Sequence, residues 1–186
     1  MTAEATTDRE ALPVELVDER GRAVGACPVS EAHAAPGRLH RAFSVLLFDA
    51  DGRVLLQQRA AVKTRFPLLW TNTCCGHPAP GAAAADAAVD RLVEELGIRA
   101  ALTEVGAFTY RAGDPATGRV EHEWDHVLIG RFDGVPPRPD PAEIADYAWV
   151  WPADLADAMA ADPDRYTPWL SGVLGVIEHA GEVPNA

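Results

Sequence analysis

The run NTCCGHPAPGAAAADAAVDRLVEELGI, Asn72–Ile98, places a thiol pair, a turn glycine and an imidazole directly ahead of a helix. Alanine crowds the stretch from Ala82 to Leu96, and Gly97 stands where a helix ends on a left-handed residue. The pattern predicts a helix over 82–96. Arg91 and Glu95 are four apart, so this helix carries a guanidinium and a carboxylate on one face. The pair reads either as a solvated salt bridge or as a phosphate-binding cation beside a carboxylate for Mg²⁺. The thiols leave a similar choice. Adjacent cysteines are small buried hydrophobes unless their surroundings tune a pKa, and an imidazole two residues on can hold a metal that does so. Cys74 and Cys75 alternate along the backbone, so if one faces a pocket the other faces the core.

Outward from this run, apolar strand-favouring residues at 42–48 and 53–56 flank Asp51-Gly52, a hairpin signal. Strands are expected at 104–111 and 119–132, joined by the turn residues GDPATG, and helices at 152–161 and 166–180 after Tyr147–Val150. The segment 134–141, GVPPRPDP, is loop-like, and no linker is long enough to separate two domains. This order implies an α+β sandwich in one domain over 1–186, with 1–12 expected to be disordered. On a strand, residues two apart share a face. Glu121 and Glu123 can therefore converge on one ion, while His122, Trp124 and His126 face the other way.

A net charge of −12 argues against nucleic acid as a partner, because affinity for phosphate backbones rests on surplus Lys and Arg. A small anion needs only a few converging cations. The chain has one lysine, Lys63, with Arg59 four residues before it. The N-terminus lacks the basic start and apolar run of a signal peptide, and no apolar segment reaches membrane-spanning length. Three cysteines, two of them adjacent, make no disulfide framework. A cytoplasmic protein without a membrane partner is expected, with Cys27 structural.

RLHRAFSVLLFD at 38–49, LLQQRA at 55–60, LWTNTCCGHP at 69–78, EELG at 94–97, FTYRA at 108–112 and EHEW at 121–124 together resemble the type I isopentenyl-diphosphate isomerases. These are metal-dependent members of the Nudix fold family, and the resemblance runs from about Val14 to Trp169. It implies a Nudix-type α/β/α sandwich with a mixed β-sheet and C-terminal helices. It also implies a 1,3-proton shift converting isopentenyl diphosphate into dimethylallyl diphosphate through a tertiary carbocation. By the same resemblance, Cys75 and Glu123 are the opposed acid and base, and Tyr110 hydrogen-bonds Glu123. His33, His40, His77, Glu121 and Glu123 hold Mn²⁺, Mg²⁺ or Zn²⁺, and Glu95 holds the Mg²⁺ that accompanies the diphosphate. Arg59, Lys63 and Arg91 meet the diphosphate, and Trp169 covers the hydrocarbon end.

The resemblance implies no flavin, and a monomer or homodimer. Two departures stand out. The Nudix box aligns from Gly76 to Ile98, but the hydrolase Arg-Glu pair is replaced by Asp90-Arg91 and an earlier glutamate by Ala82. The hydrolytic metal cluster is thus incomplete, which sets a Nudix pyrophosphohydrolase second to the isomerase, beside an isomerase of a related alkenyl diphosphate. Val29 stands where the family has a diphosphate-facing lysine, a loss that either weakens binding, shifts substrate preference or is offset by a nearby arginine such as Arg38 or Arg65.

Overall fold

Glycine placement and strand pairing explain most of the architecture. The computed structural model describes residues 8–181. The chain runs through β1 (Pro13–Val17), β2 (Ala23–Pro28), α1 (Val29–Ala32), β3 (His40–Phe48), β4 (Val54–Arg59), β5 (Trp70–Thr71) and β6 (Cys74–Gly76). It continues with α2 (Ala84–Leu96), β7 (Leu102–Gly113), β8 (Val120–Arg131), β9 (Ile144–Val150), α3 (Pro152–Ala161) and α4 (Leu170–Ala180). The turn at Asp51-Gly52 joins β3 to β4, whose pairing begins at Phe48 and Val54, with Gly52 at φ +89°.

β3 organises the sheet. It pairs antiparallel with β1, β4 and β6 and parallel with β8, whose register runs from His40↔Glu123 to Phe48↔Arg131. β7 and β8 form a long antiparallel hairpin, and β9 lies antiparallel on β4. Alternation along β3 separates two cores. Phe43, Val45 and Leu47 join Leu128, Cys74 and the α2 residues Ala88, Leu92 and Leu96 on one face. Leu46, Phe48, Val127 and Ile129 join Leu155 of α3 and Leu170, Val173 and Ile177 of α4 on the other. Each large aliphatic side chain buried in these layers contributes about 1.5–3 kcal/mol. The result is the expected α/β/α sandwich around a mixed sheet.

Of the segment 1–12 expected to be disordered, residues 1–7 lie outside the described residues, and Arg9–Ala11 form a 3-10 turn in which the Asp8 side chain accepts from Glu10 N. Ion pairs of Arg9 with Glu94 and of Glu10 with Arg65 fasten this turn to the domain. The last helix begins at Leu170 instead of 166. Pro168 disfavours helical backbone at the preceding residue, and Thr167 N instead donates to Trp70 O.

Candidate active site

His40 opens β3, Cys75 lies in β6 with His77 just beyond it, Tyr110 belongs to β7, and Glu121 and Glu123 belong to β8. Strand pairing brings them together. His40 is the register partner of Glu123, Tyr110 is its partner on the opposite side, and Cys75 is the partner of Ser44. β6 comes this close to β3 because residue 76 is glycine: a Cβ there would lie 2.7 Å from the Phe43 ring.

His33, His40, His77, Glu121 and Glu123 each offer one ligand atom, and these atoms lie within 4.8 Å of one another. The three imidazole centroids are 4.6, 5.1 and 5.0 Å apart. The hydrogen bonds around them show what the group suits. His33 Nδ1 meets Val29 O at 2.8 Å and His40 Nδ1 meets Arg38 O at 2.7 Å, so each ring donates through Nδ1 and turns the Nε2 lone pair inward. His33 Nε2, His40 Nε2 and Glu121 Oε2 are buried without a hydrogen-bond partner, although His33 Nε2 stands 2.7 Å from Glu121 Oε2. Lone pairs facing carboxylates in a buried space require a positive charge between them. The pKa of His33 reports the same demand: burial opposes protonation, but Glu121 and Glu123 outweigh it and raise the value to about 9. Burial dominates at His77 and lowers its pKa to about 4. The five side chains therefore fit a divalent metal.

Glu123 has a second set of contacts. Its Oε1 is 2.9 Å from His77 Nε2, and its Oε2 accepts from Tyr110 Oη at 2.7 Å. Burial works to raise its pKa, but the three adjacent imidazoles, His77 at hydrogen-bond distance, hold it well below the usual carboxylate range. Cys75 shares a cavity of about 380 Å³ with Tyr110, His77, Glu121, Glu123 and Trp169. Burial, reinforced by the nearby Asp125, raises the Cys75 pKa to about 12, so the thiol is neutral at rest. Cys74 turns the other way into the α2 core, and Cys27 packs with Val14 and Val29. His126, read as structural, pairs with Glu104 and Arg41 away from the site.

Five cations, Arg59, Lys63, Arg65, Arg91 and Arg9, also line the cavity, together with Glu10 and Glu143. Lys63 Nζ meets Glu143 Oε2 at 2.5 Å, and Arg91 Nη2 contacts both Glu143 at 2.8 Å and Glu95 at 2.7 Å. Arg59 is different: it donates to the carbonyls of Arg65 and Phe66, and its guanidinium carbon is 5.6 Å from the Trp169 ring centroid. Glu95 belongs neither to the five-residue group nor to the cavity wall. It is buried behind Arg91 and accepts from Gln57 Nε2 at 2.9 Å.

Of the two arginines weighed as substitutes for a cation at position 29, Arg65 lines the cavity, whereas Arg38 pairs with Glu31 outside it. Arg65 Nε also approaches Glu121 Oε1 at 3.2 Å. Sequence reading missed Glu143 and Asn72. Asn72 ties the site together by accepting from Trp169 Nε1 at 3.1 Å and donating to Cys75 Sγ at 3.2 Å. Its place inside the TNTCCGHP run was the only local signal; Glu143, in PAEIAD, carries none.

A mixed sheet between helices with a His/Glu metal group defines the class: residues 38–170 match the NUDIX domain, and the chain is a NUDIX-domain protein. Solved structures agree on the fold. A protein from Deinococcus radiodurans superposes with a TM-score of 0.70 at 21% identity, covering 89% of this chain and 98% of that one. The MutT protein from Methanosarcina mazei gives 0.62 at 14% identity, covering 77% and 96%. Within the class, the chain belongs to the isopentenyl-diphosphate Delta-isomerase family. It is 70% identical over 169 residues to the Nocardia farcinica isopentenyl-diphosphate Delta-isomerase, covering 91% of this chain and 96% of the relative. The Streptomyces griseus enzyme of the same name is 48% identical over 166 residues, covering 89% and 83%. No helix among the described residues is long and apolar enough to cross a membrane.

Proposed function

We infer that the protein isomerises isopentenyl diphosphate to dimethylallyl diphosphate, with Cys75 and Glu123 as the proton-transferring pair. The observation that carries this reading is a neutral thiol and a histidine-held carboxylate on the wall of one cavity that Arg59, Lys63 and Arg91 also line. An unactivated alkene needs an acid and a base in opposition and a site that tolerates a tertiary cation. Tyr110 supports the acid–base role of Glu123: its hydroxyl holds Oε2 and can pass or retain a proton there. Trp169 and Tyr110, with centroids 5.8 Å apart, offer aromatic faces to positive charge in the hydrocarbon. Exclusion of water by this lining protects the cation from capture.

A divalent ion held by His33, His40, His77, Glu121 and Glu123 would supply a fixed positive charge that orients Glu123 and sets its basicity; Mn²⁺, Mg²⁺ and Zn²⁺ all suit the donor set. Arg59, Lys63 and Arg91 would meet the diphosphate. The resemblance assigns the Mg²⁺ that accompanies it to Glu95, which stands behind Arg91 and would reach that ion only if Arg91 moves aside. The test is incubation with isopentenyl diphosphate and Mg²⁺ in D₂O, with and without chelator. Deuterated dimethylallyl diphosphate formed only with metal is expected. Unchanged substrate would overturn the reading, and released phosphate would favour a pyrophosphohydrolase.

A further inference from the structure

Asp125 is almost completely buried on β8, two residues beyond Glu123, yet it does not belong to the five-residue metal group. A buried carboxyl without a charged partner is costly, so its surroundings call for an explanation. Its Oδ1 has no hydrogen-bond partner, and its Oδ2 accepts from Ser44 Oγ at 2.7 Å. Ser44, equally buried, lies on β3 between β6 and β8. Its register partner on β6 is Cys75, and Ser44 Oγ stands 3.7 Å from Cys75 Sγ. Asp125 pairs with Ala42, two residues before Ser44, so all three side chains share the face that carries the cavity.

The contacts of this row converge on the Cys75 sulfur. Ser44 Oγ is held by Asp125 and also meets the sulfur. The thiol donates to Asn72 Oδ1 at 3.3 Å, and Asn72 Nδ2 donates to the sulfur at 3.2 Å. Asn72 Oδ1 is itself fixed by Thr71 Oγ1 at 2.8 Å and Trp169 Nε1 at 3.1 Å. Ser44 and Asn72 thus both contact the sulfur, and only Ser44 is anchored by Asp125.

We propose that Ser44 and Asp125 are positioning residues for Cys75: the Asp125 carboxyl fixes the Ser44 hydroxyl, and the hydroxyl steadies the Cys75 sulfur at the cavity wall. Without Asp125 the hydroxyl loses its anchor and the sulfur loses a fixed contact. The inference rests on the isomerase reading for its kinetic consequence but not for its chemical one. The test compares Ser44→Ala, Asp125→Ala and Asp125→Asn with the parent protein by kcat and KM for isopentenyl diphosphate. It also follows the rate of iodoacetamide alkylation at Cys75 by peptide mass spectrometry.

Loss of one hydrogen bond predicts about a tenfold fall in kcat for Ser44→Ala and Asp125→Ala, with KM within about twofold and an altered Cys75 alkylation rate. Asp125→Asn keeps an acceptor oxygen for Ser44 and is expected to recover most of kcat. Parent values of kcat and alkylation in Ser44→Ala would overturn the proposal, as would an Asp125→Asn variant no better than Asp125→Ala. Should Asp125→Ala fail to fold, Ser44→Ala, which removes a single oxygen, still decides. Cys75→Ser separates the two readings: retained turnover there would sink the assigned role of Cys75, while the alkylation comparison would continue to test the positioning.

Discussion

Cys75 and Glu123 hold different protonation states for different physical reasons. Burial keeps the thiol neutral, while three imidazoles keep the carboxylate ionised despite its burial. Removing either group is therefore expected to end turnover: Cys75→Ser and Glu123→Gln should each lower kcat by at least about 10³-fold, checked by product formation at saturating substrate. Tyr110→Phe deletes the hydroxyl that holds Glu123 Oε2 and is expected to cost about 10- to 100-fold in kcat by the same assay. Gly76 tests the approach of β6 to β3. Gly76→Ala places a methyl group 2.7 Å from the Phe43 ring, and a loss of about 1–3 kcal/mol in urea unfolding should result.

At the level of elements, β8 presents Glu121, Glu123 and Asp125 to one face, and β3 aligns His40 and Ser44 opposite them. Alternation was readable in EHEW; the parallel pairing with β3 was not, because register depends on contacts between segments some 80 residues apart. α2 ends at Gly97 with φ +65°, as its sequence predicted. Gly97→Ala forces a Cβ into left-handed backbone and should lower stability by about 1–2 kcal/mol, seen as a reduced urea midpoint. α4 seals the face that carries the site. Leu170→Ala, at a fully buried position beside Trp169, is expected to cost about 2–5 kcal/mol by the same measurement.

The whole molecule couples folding to charge. The five side chains that could hold a metal come from positions between His33 and Glu123 and converge only in the folded chain, so an ion held there would bind the native state alone. Tm is expected to rise with Mn²⁺ or Zn²⁺ concentration, to fall with chelator, and to lose most of this response in His77→Asn; calorimetry checks it. Acid stability depends on Glu143. Burial alone would raise its pKa, but Lys63 and Arg91 outweigh burial and lower it to about 2 from 4.5. A carboxylate with a depressed native pKa stabilises the fold above about pH 4.5 and loses that contribution as pH falls toward 2. Glu143→Gln should therefore show a shallower loss of stability between these values.

The sequence by itself determined the order of β3, β4, α2, β7, β8, α3 and α4, the glycine stop of α2, the Asp51-Gly52 turn and the opposed facing of Cys74 and Cys75. All of these follow from local backbone preference and from periodicity. Motif resemblance named the chemistry and the ligand set. Only the tertiary structure decided that Glu95 sits behind Arg91, that Glu143 neutralises the cations of the cavity, that Arg65 and not Arg38 reaches it, and that the N-terminal turn is fastened down. Those outcomes depend on which charges meet across the fold once water is excluded, and linear spacing carries no record of such distances.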